Sequence, residues 1–93
     1  MPSTTAQHVK DHAFSCNGRN FVARVWFEPT TQEIVVEPYE AGNRVILTYP
    51  DGAKLMPRWT ATLVTALDVQ QILGLDAIEY LLNDAERMVA ELA

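Results

Sequence analysis

From Ala13 to Val64 apolar and polar residues alternate in short runs broken by turn-forming residues, and from Thr65 onward the apolar residues recur every three or four positions. The first pattern has the period of strands with one face buried, and the second has the period of helices. Asn17-Gly18 is the dipeptide best suited to the positive φ values of a two-residue hairpin, so Ala13–Cys16 and Arg19–Phe27 are expected to pair. Within the longer run Phe21, Ala23, Val25 and Phe27 share one face, expected to be the core face, and Val22, Arg24 and Trp26 share the other. Pro29 interrupts the pattern and Glu33–Tyr39 resumes it, with Ile34 and Val36 on one side; Pro38 suggests a sheet edge or a strand end. Ala41-Gly42-Asn43 makes the next turn, Arg44–Tyr49 the next strand, and Pro50-Asp51-Gly52 a turn returning the chain antiparallel along Lys54–Val64, interrupted at Pro57.

Thr65-Ala66-Leu67-Asp68 reads as a helix start, a hydroxyl cap with an acid three residues later, and Gly74 closes this short helix after Leu73. Asp76 is placed to cap a second, longer helix ending near Leu92. There Leu75, Ile78, Leu81, Leu82, Ala85, Met88, Val89 and Leu92 form an apolar stripe, and Glu79, Asn83, Glu86, Arg87 and Glu91 occupy most of the remainder. That stripe must leave water, and one sheet face is the only apolar surface large enough to receive it. The expected fold is therefore α+β: an antiparallel four- to five-stranded β-meander with two C-terminal helices, one short and one long, packed on one face. Residues 1–12 show no period and are expected to be a flexible arm, leaving 13–93 as a single α+β domain.

Length and composition agree with one folded unit: 93 residues, 48% hydrophobic and 20% charged, far from the composition of disordered chains. No apolar run approaches the roughly 18 residues of a membrane span, the first residues lack a basic or apolar leader, and Cys16 is the only cysteine; a cytoplasmic location is expected. Charge changes the picture more than composition does. Through Val64 six acids balance six bases, whereas from Thr65 six acids face only Arg87, so the net charge of −5 belongs wholly to the C-terminal segment. Such a segment disfavours nucleic acid and anionic lipid nearby.

Candidate chemistry is sparse. His8, Asp11, His12 and Cys16 would line one face if a helix ran through them, which makes a small enzyme or metal-binding protein using His8, His12 and Cys16 the second alternative function. Gly18 and the strand pattern after Ala13 oppose such a helix. The serines have no nucleophile setting and the four glycines are too scattered to cradle a phosphate, so no catalytic residue, resident metal or cofactor is expected. The far side of the sheet, by contrast, gathers Arg24, Trp26, Arg44, Ile46 and Arg58, and tryptophan and arginine are the side chains most enriched at interaction hot spots. The acidic helix, with Asp76, Glu79, Asp84, Glu86 and Glu91, is a second candidate surface, for a basic partner. The leading expectation is a small acidic non-enzymatic protein-binding module, an inhibitor or adaptor acting on a nucleic-acid-handling protein complex or a module that pairs with its own copy. The first alternative is a sheet-face binder of single-stranded nucleic acid, disfavoured by the chain's seven cations.

Overall fold

The computed structural model describes residues 6–74 and 76–93. Among these residues seven strands precede two helices: β1 (Gln7–Cys16), β2 (Arg19–Glu28), β3 (Glu33–Glu40), β4 (Asn43–Arg44), β5 (Leu47–Thr48), β6 (Lys54–Leu55), β7 (Trp59–Thr62), α1 (Leu63–Leu73) and α2 (Ala77–Leu92). The fold is α+β, with an antiparallel five-stranded sheet and a short and a long C-terminal helix on one face. No helix among the described residues is long and apolar enough to cross a membrane.

The β1–β2 hairpin forms at Asn17-Gly18, both at positive φ (53° and 74°), the conformation in which the two strands' right-handed twist matches across a two-residue turn. The strand reaches back to Gln7, so residues 7–12, expected to be an unstructured arm, are paired with β2; residues 1–5 lie outside the described residues. Periodicity missed this stretch because an edge strand with polar residues on both sides shows no apolar alternation.

β3 is the central strand. One of its edges pairs with β2 throughout; the other is shared, with β7 against Glu33–Val36 and β4 against Tyr39–Glu40. Pro38 sits at the seam between β4 and β7. Its carbonyl accepts from the Val45 amide at 3.0 Å, and a strand residue's N–H and C=O point the same way, so the missing donor faces that seam. Pro38 therefore marks neither the sheet's edge nor the strand's end. The expected strand Arg44–Tyr49 is split: β4 stays on the main sheet, while β5 leaves it and pairs with β6 as a separate ribbon.

The core lies between the sheet's inner face and α2. Ala23, Val25, Val36 and Ala61 meet Leu81, Leu82 and Ala85, with Phe14, Ile34, Trp59 and Ile78 at the margin. A second cluster joins Phe21, Val45 and Leu47 to Val89. No polar or charged side chain among the described residues is buried, so α2 is held mainly by apolar contact, with the bond between His12 and Glu86 at its margin. Its N-terminus is capped as expected, Asp76 Oδ1 accepting from the Ile78 amide at 2.8 Å. The cap of α1 lies three residues before the expected one, because Thr62 rather than Thr65 supplies the hydroxyl, accepting from the Thr65 amide at 3.2 Å. Gly74, at φ 67°, closes α1 in the left-handed conformation that glycine adopts without strain. Leu75, expected in the α2 stripe, lies outside the described residues.

Candidate functional site

Both helices lie on one side of the sheet, which leaves the other side to its own side chains. The register places His8 beside Trp26, Trp26 beside Val35, Arg24 beside Glu37, and Tyr39 beside Val22 and Arg44. Arg24 is the centre of this face. Its guanidinium carbon stands 5.5 Å from the centroid of Trp26 and 5.2 Å from that of Tyr39, and Arg44 stands 5.9 Å from Tyr39. These are distances at which a cation is attracted to the ring quadrupole. Arg44 donates to Glu37 at 3.0 Å and to the Pro57 carbonyl at 2.8 Å, and Arg58 reaches Glu37 at 3.8 Å while remaining 55% exposed.

Four of the five residues expected on this face, Arg24, Trp26, Arg44 and Arg58, are thus brought together. Ile46 is not among them. It falls in the unpaired step between β4 and β5 and stands in a surface recess with Arg19, Glu40 and Val45, because the chain leaves the main sheet after Arg44. Tyr39, Glu37, Asp11 and His8 belong to the face and were not assigned to it from the sequence. Alternation from Val35 already places Glu37 and Tyr39 on that side, so the signal for those two was present.

His8 and Asp11 needed the structure. An irregularity in register between His8 and Lys10 breaks the alternation, so two residues an odd number apart emerge on the same side; His8 Nε2 and Asp11 Oδ1 are 2.7 Å apart. The His8 hydrogen bond, with the charges of His8 and Arg24 beside it, holds the Asp11 carboxyl below its ordinary value of 3.8. The same irregularity puts His12 on the opposite face, where it bonds Glu86 of α2. The two histidines therefore cannot share a metal with Cys16, as the one-faced helix would have allowed, and among the described residues no group of three or more His, Cys, Asp or Glu is placed to hold one. Cys16 is half-buried against the second core cluster.

A recess of about 430 Å³ opens next to Arg24, walled by Asp11, Val22, Tyr39 and the Ala41-Gly42 turn. Two donors on this face, Trp26 Nε1 and Arg44 Nε, are buried without a hydrogen-bond partner among the described residues. No family model, curated protein or solved structure matches the chain.

The acidic helix is differently disposed. Asp76 is engaged as the α2 cap, Asp84 pairs with Arg87 at 3.0 Å, and Glu86 bonds His12, which leaves Glu79 and Glu91 as the carboxylates of the five without such a partner among the described residues. Glu79 lies in the first helical turn, where a negative charge also favours the helix dipole. Three of the five acids expected to form a binding surface thus have structural partners.

At the end of the sheet Arg19 grips Glu40 through two parallel bonds, Nε to Oε2 at 2.8 Å and Nη2 to Oε1 at 2.6 Å. This fork lowers the Glu40 carboxyl from its ordinary 4.5 and raises the Arg19 guanidinium. A carboxyl depressed in the folded state stabilises the fold above its unfolded value and loses that contribution as pH falls through the folded one. Glu40→Gln is therefore expected to lower the Tm slightly at pH 7, and its gap from the unsubstituted protein should close as thermal melts are taken down toward pH 3. A gap that persists at acid pH would mean that the fork contributes through packing rather than charge.

Proposed function

We propose that this chain is a small non-enzymatic protein-binding module that docks its partner on the outer face of the sheet, as an inhibitor or adaptor does. The observation that carries the reading is the arginine–aromatic array: Arg24 over Trp26 and Tyr39, with Arg44 and the exposed Arg58 beside it, on a face that no helix covers. Large side chains held in place by their neighbours lose little entropy when a partner arrives, and arginine and tryptophan so placed are the usual anchors of interfaces. Arg24 also brings hydrogen-bond donors to the edge of an adjoining recess.

Two considerations rank this face above its competitors. The acidic helix spends most of its carboxylates on its own cap, on Arg87 and on His12, so it presents a weaker patch than the sequence suggests. Binding of single-stranded nucleic acid needs aromatic faces open to bases. Here Trp26 is engaged by Arg24 and by the edge-on ring of His8, 5.1 Å away, while Tyr39 is engaged by two arginines.

The test is capture of partners by the tagged chain, compared with Arg24→Glu, Trp26→Ala and the double change Glu79→Lys with Glu86→Lys. Arg24→Glu and Trp26→Ala are expected to weaken partner binding by about 30-fold or more, the effect of losing a hot-spot side chain. The double lysine variant should retain the partner. If all of these variants recover the same proteins equally well, the sheet face is not the site.

A further inference from the structure

The arginines of this chain are held in two different ways. Arg19 donates twice to Glu40, Arg44 donates to Glu37 and to the Pro57 carbonyl, and Arg87 donates to Asp84, so each of these guanidiniums finds acceptors within the chain. Arg24 is held by rings instead. Its guanidinium carbon stands 5.5 Å from the Trp26 centroid and 5.2 Å from that of Tyr39, while the carboxylate beside it, Asp11 Oδ1, lies 3.6 Å from its Nε and is bonded to His8 at 2.7 Å. A guanidinium carries its donors in a rigid planar fork, and among the described residues the fork of Arg24 has no acceptor at good hydrogen-bond distance. The side chain is 41% exposed and stands at the recess of about 430 Å³ whose other walls include Asn20, Val22, Tyr39 and the Ala41-Gly42 turn.

We propose that this recess takes an acidic side chain of the protein partner, its carboxylate on the Arg24 fork and its methylenes against Val22 and Tyr39. The inference rests on the partner-docking reading and names the residue type that the partner brings. A fork fixed before binding receives a carboxylate through two parallel bonds, the arrangement that Arg19 and Glu40 already form at the end of the sheet. Asp11 is the competitor for the same guanidinium, and its bond with His8 engages the oxygen nearest Arg24. Charge on this face also selects a single carboxylate over a polyanion. Arg24, Arg44 and Arg58 gather about Asp11 and Glu37, whereas Glu28 and Glu33 stand opposite each other at the turn end of β2 and β3. A nucleic-acid strand carries a charge at every nucleotide and is held by several cations along its length. Here one fork is open, in a chain of net charge −5, and one carboxylate needs no more than one.

Nuclear magnetic resonance of the isotopically labelled full chain, titrated with the peptide acetyl-Ala-Glu-Ala-amide, tests it. Saturable shifts are expected at the Arg24 Nε–Hε signal and at the backbone amides of Ala41 and Gly42. The peptide acetyl-Ala-Gln-Ala-amide should bind about tenfold more weakly, the effect of losing hydrogen bonds to a charged group. Arg24→Gln should weaken the glutamate peptide by a similar factor, and Asp11→Asn should tighten it several-fold by removing the competing charge. Arg87→Gln, on the helix side of the sheet, should leave it unchanged. No saturable shift, equal binding of the glutamine peptide, or binding indifferent to Arg24→Gln overturns the proposal. So does an oligothymidylate, or acetyl-trialanine with a free C-terminus, that moves the same signals at lower concentration than the glutamate peptide. Failure of the peptide to bind, with partner capture still lost in Arg24→Glu, would strike the acidic side chain and keep the docking face; capture unchanged by Arg24→Glu and Trp26→Ala would strike the face itself.

Discussion

A chain that stops at Asp76 is expected to lose cooperative unfolding altogether. Helix α2 supplies Ala77, Leu81, Leu82, Ala85 and Val89 to the two core clusters, and Ala85 and Val89 are fully enclosed. Burying a large aliphatic side chain contributes roughly 1.5–3 kcal/mol, so the helix contributes on the order of 10 kcal/mol, comparable with the whole net stability of a small domain. Its removal would also bare the inner face of the sheet, with Val25 and Val36 at its centre, as an aggregation-prone surface. Thermal or urea melts followed by circular dichroism, with size-exclusion chromatography, check this. A truncated chain that still melted sharply as a monomer would show that the sheet has another source of stability.

Phe21→Ala should destabilise the fold by about 3–5 kcal/mol, the usual cost of emptying an aromatic site in a core. Phe21 is 1% exposed and is the largest fully buried side chain; Val45, Leu47 and Val89 share its cluster, and Phe14 stacks at 5.4 Å. It is the contact through which β2, the β4–β5 segment and the last turns of α2 meet, so a void there loosens three elements at once. Urea denaturation gives the free energy directly. A loss under 1 kcal/mol would mean that the site collapses and that the second cluster contributes little. Phe14, on the neighbouring strand and only partly buried, should cost less when truncated in the same way.

Much of this arrangement could be read from local pattern. Asn17-Gly18 announced its hairpin, the alternation from Phe21 to Val25 picked the buried side of β2, and the stripe through Leu81, Leu82, Ala85 and Val89 picked the buried side of α2. Of the candidate site, alternation also separated Arg24 and Trp26 from the core. What it missed has specific causes. The polar strand 7–12 has no apolar period to detect. The Thr62 cap was hidden because Thr65 offers the same hydroxyl three residues later, and Ile46 was carried onto the sheet by assuming that one run of alternation is one strand.

The sequence by itself determined which residues turn, which side of each long strand and of α2 is apolar, and that the negative charge gathers after Thr65, since each of these depends on residues within a few positions of one another. Only the tertiary structure decided that β7 returns to β3 beside β4, that an irregular register at Val9 turns His8 toward Trp26 while His12 faces Glu86, that Arg24 stands over two rings, and that no residue of α1 is fully buried. Those outcomes rest on contacts between segments distant in sequence. Each pairing competes with others that local alternation satisfies equally well, and packing of the whole chain selects among them.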